Sequence, residues 1–238
     1  MGHLTPRALA AEIDAAHRER RLLDAADQDS FDLATAYAVQ RELTGARVAR
    51  GARRIGMKLG YTSQAMRAQM RIDEPNHGPL LDTMLITDGR VPAALVQPRV
   101  EPEIALVLGP YRRPAAAHAA LEVVDSVWRD YRFTLELNTA DGSSAAGVVL
   151  GPPLPLDDLG ACPVRLLRNG ATVGTGTGEA AMGHPLHALE WLVAALGDDA
   201  LRPGDVVLTG GLTAAVPVEP GDTVEALFAT AGDLRLVR

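Results

Sequence analysis

The chain has 238 residues, 47% of them apolar, which is enough to bury a full core and argues against disorder. A formal net charge of -7 with no Lys/Arg-dense block excludes a nucleic-acid partner, because that affinity comes mostly from counterion release by clustered cations. No apolar run approaches the roughly 20 residues that span a bilayer, and the polar opening MGHLTPRALAAEIDAAHRER does not read as a signal peptide, so no membrane partner and a cytoplasmic location are expected.

Residues 1–51 are expected to form a helical segment of two helices capping the rest. Thr5 is placed as N-cap of the first, with Pro6 at its first helical position; the second carries Ala36, Val39 and Leu43 on one face and stops at Gly51. Residues 52–238 are expected to form a β-rich metal-binding catalytic domain. Its β-like runs are RIGMKLGYT, VEPEIALVLG, ALEVVDSV, YRFTLELN, AGVVLG, PVRLLRNG, DVVLTGG, TVEALFA and DLRLV. Ser63 is read as the cap of a short helix bearing Met66 and Met70. Pro185 opens another helix, with Leu186, Leu189, Val193 and Leu196 on one face. Asn169-Gly170 signals a two-residue hairpin, and Pro203-Gly204-Asp205 and Pro220-Gly221-Asp222 are tight turns leading into strands.

Many strands, antiparallel turn chemistry and no regular βαβ alternation predict an α+β protein built round a folded-over mixed sheet rather than a doubly wound one. Gly176-Thr177-Gly178-Glu179-Ala180-Ala181 fits the loose dinucleotide pattern, but the strand before it belongs to a hairpin, so no nucleotide is expected there. Cys162, the single cysteine, has no partner at metal-ligand spacing and is read as a small buried apolar residue.

Of the 23 basic residues only Lys58 is lysine. In a chain that uses arginine everywhere else, a lone lysine marks a site that needs a compact, titratable ammonium. In Val100-Glu101-Pro102-Glu103-Ile104 the two acids are two apart on a strand and project to one face, with Ile104, Leu106 and Leu108 on the other. Close carboxylates facing an interior need a cation to stay ionised, although the spacing alone also fits a solvated edge-strand pair. Glu122 lies in a strongly apolar run, where an acid is rarely buried unless it is paired or binds a metal. Three oxygen ligands with an open side suit Mg²⁺ or Mn²⁺ better than zinc.

The phrases GMKLGYTSQAMRAQM, LLDTM, QPRVEPEIALVLG, LEVVDS, MGHP and LTGGLTAAVPVEPGD, in that order between about Ala36 and Asp222, resemble the hydratase/decarboxylase family of the fumarylacetoacetate hydrolase superfamily. The resemblance implies a β-rich, divalent-metal enzyme of aromatic catabolism, a homo-oligomer able to complex a related pathway enzyme, acting on a small 2-oxo acid. By the same resemblance Glu101, Glu103 and Glu122 fall on metal ligands, Lys58 on an active-site lysine and Asp82 on an acid near the substrate. Gln97, Ser144 and Thr213 fall on substrate contacts. Three departures stand out. Only GPYRRPAAAHAA links the EIALVL and LEVVDS runs, where the family has a longer helical connection; Asn76-His77 stands where members have an aspartate and an aromatic; and Asp141-Gly142 replaces an Asp-Asn pair.

A lyase is therefore expected, with hydration of 2-hydroxypenta-2,4-dienoate leading and decarboxylation of 4-oxalocrotonate as the alternative. GHPLHALEWLV looks like the hydratase branch and GGLTAAVPV like the decarboxylase branch. A decarboxylase needs a pocket for a second carboxylate, so an arginine placed over the metal would favour the second and an apolar pocket end the first. Acylpyruvate C–C hydrolysis would need a histidine to activate water, for which His77, His184 and His187 are the candidates. A catalytically inactive subunit supporting an active partner is a further class.

Overall fold

The computed structural model describes residues 5–63, 67, 72–197, 200–229 and 231–238. Two helices open the chain, α1 (Pro6–Glu19) and α2 (Leu33–Ala49). The Thr5 side chain caps α1 by accepting from the amide of Ala8, and Asp32 caps α2 through the amide of Thr35. The predicted face of α2 is buried, and Gln40 is buried with Ala36, Val39 and Leu43. Its amide donates to the carbonyls of His77 at 2.9 Å and Thr139 at 2.8 Å, fastening the helical segment to the β-rich part.

Eleven strands follow among the described residues. They are β1 (Arg54–Gly60), β2 (Asn76–Leu81), β3 (Arg99–Leu108), β4 (Pro114–Val124), β5 (Ala145–Leu154), β6 (Pro163–Arg168), β7 (Ala171–Thr177), β8 (Val206–Leu208), β9 (Val216–Pro217), β10 (Thr223–Phe228) and β11 (Gly232–Val237). A seven-stranded sheet runs β2-β1-β8-β3-β4-β5, with β9 also on β3, and a four-stranded sheet runs β11-β10-β6-β7. The large sheet is mixed, because β1 and β8 are parallel while its other pairs are antiparallel. Alternation along β3 sends Ile104 and Leu106 into the core between the sheets, where they meet Leu166, Val224, Phe228 and Leu236. Ala105 and Ala120 point to the opposite face.

Asn169 and Gly170 have φ of 54° and 79° and join β6 to β7, the left-handed pair that a two-residue hairpin requires. Gly176 lies on β7 of this hairpin; a Cβ there would come within 2.0 Å of the Leu212 carbonyl, so that glycine accommodates a neighbouring backbone rather than a phosphate. Cys162 is buried in the core between the sheets.

One run departs from expectation. YRFTLELN was expected to be β-like, but Leu135–Ala140 form the short helix α3, because Thr134 caps it by accepting from the amide of Leu137 and the Leu-Glu-Leu stretch favours a helix. Alternating Phe, Leu and Leu mimic a strand over so short a window. The last helix, α4 (Pro185–Leu196), begins at Pro185 as read, with Ala188, Leu189 and Leu192 fully buried and Leu186, Val193 and Leu196 packed at the edge of the same core. The helix expected to bear Met66 and Met70 falls outside the described residues.

Candidate metal centre and active-site cavity

The site grows from one irregularity in the large sheet. β8 lies between β1 and β3 for only three residues and pairs with Lys58 and Ala105 at Leu208. The chain then leaves the sheet: Thr209 stays tied to the Ile104 carbonyl, and Leu212 donates its amide to the Pro102 carbonyl. A gap opens between β1 and β3 on the face away from the small sheet, and polar side chains fill it.

On that face Glu101 of β3 and Glu122 of β4 are direct cross-strand partners, with Glu103 two residues further along β3. Each of the three offers a carboxylate oxygen within 4.8 Å of the others. Glu103 and Glu122 are 0% exposed. One Glu103 oxygen accepts from the Gly210 amide at 2.7 Å, but its Oε1 and both Glu122 oxygens accept no hydrogen bond. Lys58 comes from β1, with Nζ 3.1 Å from Glu122 Oε2 in an ion-pair contact and donating to the Ser143 carbonyl at 3.1 Å. Ser143 and Ser144 both adopt left-handed backbone, with φ of 56° and 58°, in the turn between α3 and β5 that presents this carbonyl.

The electrostatics are those of a cluster missing positive charge. Burial first, then the neighbouring Glu122, pushes the Glu101 carboxyl up to about 8. Burial likewise raises Glu103 and Glu122. For Lys58 burial works to lower the pKa, but Glu122, Glu101 and Glu103 together outweigh it and raise it. One ammonium cannot neutralise three carboxylates. Buried acceptor oxygens without donors are costly, and all the donor atoms are hard oxygens, so the group fits a divalent cation such as Mg²⁺ or Mn²⁺.

The cluster opens into a cavity of about 430 Å³, within the usual size of small-ligand pockets. Lys58, Glu101, Ser144 and Thr213 all contribute to its lining, so the fold brings these expected residues to one place. Two others lie elsewhere. Asp82 follows β2 and pairs with Arg53, accepting from its amide at 2.9 Å and its guanidinium at 2.9 Å; it does not line the cavity. Gln97 does not line it either: its amide nitrogen donates to the carbonyls of Ser126 and Trp128, and its oxygen accepts from the Asp130 amide. It holds the loop that carries Asp130 and Tyr131 to the cavity wall.

The lining also contains residues that the sequence reading did not single out, among them Tyr61, Arg99, Tyr131, Asn138 and Ser143. Arg99 was within reach, since the alternation that joins Glu101 to Glu103 puts residue 99 on the same face. Asn138 and Ser143 belong to a buried relay. Ser143 Oγ donates to Asn76 Oδ1, the Asn76 amide donates to Asn138 Oδ1, and the Asn138 amide donates to Ser144 Oγ, each at 2.8–2.9 Å. Asn76, one of the departures noted above, is thus fully hydrogen-bonded as an amide. His77 faces the other side of β2, where it stacks on Tyr37 at 4.4 Å, and burial lowers its pKa to about 4. His184 caps α4 and His187 lies near the Met182 carbonyl, so none of the three candidate histidines lines the cavity.

A lysine and three convergent carboxylates in a mixed-sheet fold make a candidate divalent-metal site, and comparison places the chain in a family. Residues 55–237 match the family model described as fumarylacetoacetate (FAA) hydrolase C-terminal, and the chain belongs to that family. Within it, the chain is 40% identical over 224 residues to the 2-keto-4-pentenoate hydratase of Burkholderia vietnamiensis, covering 86% of this chain and 85% of that protein. It is 36% identical over 225 residues to a 4-oxalocrotonate decarboxylase of Pseudomonas sp., covering 87% of each. Among solved structures, the 4-oxalocrotonate decarboxylase from Pseudomonas putida G7, complexed with magnesium and adipate, superposes with a TM-score of 0.89 at 30% identity, covering 100% of this chain and 98% of that one.

Proposed function

We propose that this protein is a divalent-metal-dependent lyase that hydrates a small 2-hydroxydienoic acid, with 2-hydroxypenta-2,4-dienoate as substrate and 4-hydroxy-2-oxopentanoate as product. The observation that carries the proposal is the meeting of the fully buried Glu103 and Glu122 with Glu101 at the cavity floor, with Glu103 Oε1 and both Glu122 oxygens accepting no hydrogen bond and only the lone lysine's ammonium beside them. Glu101, Glu103 and Glu122 would hold Mg²⁺ or Mn²⁺. Bound there, the cation supplies a Lewis acid for the negative charge that develops on a 2-oxo acid when its 2-oxygen acts as electron sink.

The chain's own groups do the rest. Lys58, buried and held between Glu122 and the Ser143 carbonyl, fixes an ammonium beside the reacting end of the substrate, where it neutralises the carboxylate or passes a proton to the enol oxygen or carbon. The dienol ketonises by gaining a proton at C5 and losing its enol proton, which leaves a 2-oxo-3-enoate; hydroxyl then adds to C4 and a proton to C3, so the product gains one water and loses neither carbon nor electrons. Ser144 and Thr213 line the cavity with hydroxyls that can orient the acid, and the Asn76–Asn138 relay keeps the Ser143–Ser144 turn in place. The relatives named hydratase, at 40% and 37% identity, support hydration as the leading reaction.

Decarboxylation of 4-oxalocrotonate is the second reading, supported by the structural relative at a TM-score of 0.89. It uses the same cluster and lysine, with loss of CO₂ from the remote carboxylate in place of water addition. The test is turnover of each substrate with Mg²⁺, following disappearance of the dienol chromophore and release of CO₂. No turnover of either would overturn the proposal. The proposal also includes a cytoplasmic location, checked by fractionation of the source cells, and a homo-oligomer, checked by light scattering on the purified chain.

A further inference from the structure

A second cavity, of about 920 Å³, is lined by residues of α2, α4, β1 and β2 and shares no lining residue with the cavity at the acid cluster. Tyr37, Arg41, Thr44 and Val48 line it from α2, spaced four, three and four along the helix and so on one continuous face. Three rings gather at one place in this lining. His77 stacks on Tyr37 at 4.4 Å and meets Trp191 of α4 at 6.4 Å, tilted by 59°. The His77 ring is 8% exposed and its Nδ1 has no hydrogen-bond partner, so stacking rather than polar contact places it. Burial, which lowers its pKa to about 4, keeps it uncharged near neutral pH, and it serves the cavity as an aromatic wall.

Positive charge gathers in the same cavity. Arg41, Arg54 and Arg202 line it against one acid, Glu74, in a chain whose net charge is -7. Arg54 is engaged, donating to the Ala200 carbonyl at 2.7 Å and pairing with Asp205 at 3.1 Å. Arg41 and Arg202 are exposed, and among the described residues no ion pair engages either. With Arg54 matched by Asp205, two guanidinium groups face Glu74 alone, an excess of one positive charge that suits a monoanion. One helical turn, about 5.4 Å, separates Tyr37 from Arg41, so a ring carrying a carboxylate can reach both. The geometry points to a second ligand site for an aromatic carboxylate, its ring against Tyr37, His77 and Trp191 and its carboxylate held by Arg41 and Arg202. Aromatic rings pack on one another with energy beyond their buried area, and a guanidinium meets a carboxylate through paired N–H groups. The assignment does not depend on the reaction proposed above.

The test is calorimetric titration of 2-naphthoate, and of the neutral 2-naphthamide, into chelator-treated and into Mg²⁺-loaded protein. The wild type is expected to bind 2-naphthoate in both forms, and on the order of tenfold more tightly than the amide, as charge-assisted contacts allow. Arg41→Met and Arg202→Met are each expected to weaken the acid by roughly fivefold, with the amide and the melting temperature unchanged because both side chains are exposed. Trp191→Leu is expected to weaken acid and amide together. Binding that requires Mg²⁺ would move the acid to the carboxylate cluster and overturn the assignment, as would full affinity in both arginine variants. Absence of binding to the wild type would overturn it too, and dissociation of an oligomer by Arg41→Glu in light scattering would then show a second copy of the chain seated on this face.

Discussion

Glu101 and Glu122 are paired residue for residue across β3 and β4, so two acids face each other on a buried surface where like charges destabilise a sheet. Without a cation, protons must take its place. Burial, with Glu122 next, pushes the Glu101 carboxyl up to about 8, whereas a glutamate in an unfolded chain titrates near ~4.3. The folded form holds protons that the unfolded form has released, so this contribution to stability is complete below the unfolded value and is lost as pH rises through about 8. In chelator-treated protein the melting temperature should fall from about pH 5 to about pH 8.5, and saturating Mg²⁺ should flatten that fall. A melting temperature that climbs over this interval without metal would contradict the picture.

Replacing Glu103 by glutamine removes one ligand charge while keeping an oxygen for the Gly210 amide. The metal-free protein should be no less stable than wild type, because a buried unsatisfied carboxylate has become neutral. Turnover should drop on the order of a hundredfold or more, and the rise in melting temperature on adding Mg²⁺ should shrink sharply. Retention of both metal response and activity in Glu103→Gln would remove the acid cluster from consideration as the metal centre.

Lys58→Met should do the opposite to the metal-free protein. The lysine side chain is 4% exposed and faces a fully buried Glu122, so its loss leaves carboxylate charge with no counterion. The variant should melt lower than wild type near neutral pH, with the gap narrowing toward about pH 5 as the cluster takes up protons. Lys58→Arg should not rescue turnover, because the space that accepts a compact ammonium does not take a planar fork. Full activity in the arginine variant would show that the site asks only for positive charge.

The sequence made the cluster legible because alternation along a strand is a simple rule: Glu101 and Glu103 had to share a face, and the apolar run around Glu122 marked it as buried. Turn chemistry located the β6–β7 hairpin for the same reason. What remained hidden depends on contacts between distant segments. Nothing local says that β8 ends after three residues and opens the gap that the acids fill. Tyr131 was absorbed into a run that looked like a strand, although Thr134 three residues later is a capping signal that points to a helix. Gln97 and Asp82 fell on expected site positions, yet the backbone amides and carbonyls that engage them belong to loops whose placement only the fold sets.

Gln97→Ala and Asp82→Asn should separate those two residues experimentally. Gln97 satisfies the carbonyls of Ser126 and Trp128, both 0% exposed residues, so its truncation should cost about 1–3 kcal/mol. It should also raise KM more than it lowers kcat, since the Asp130 amide loses the Gln97 side-chain oxygen that anchors it at the cavity wall. Asp82→Asn should leave kcat within about threefold of wild type, because its partner is Arg53. A collapse of kcat in Asp82→Asn, with metal affinity intact, would return that residue to the chemistry.

Gly211 offers the most selective perturbation of the metal centre. A Cβ at this position would lie 2.2 Å from Glu101 Oε2 and 3.1 Å from the Thr213 carbonyl. The first contact is with the end of a side chain that can swing, so Gly211→Ala should fold with a melting temperature close to wild type in the absence of metal. The movement takes the Glu101 oxygen away from Glu103 and Glu122, and Mg²⁺ affinity should fall by roughly tenfold or more, as other displacements that disturb ligand orientation do. Mg²⁺ titration followed by thermal shift separates the two effects. An alanine variant with unchanged metal affinity and unchanged melting temperature would mean that Glu101 binds no metal from its observed position.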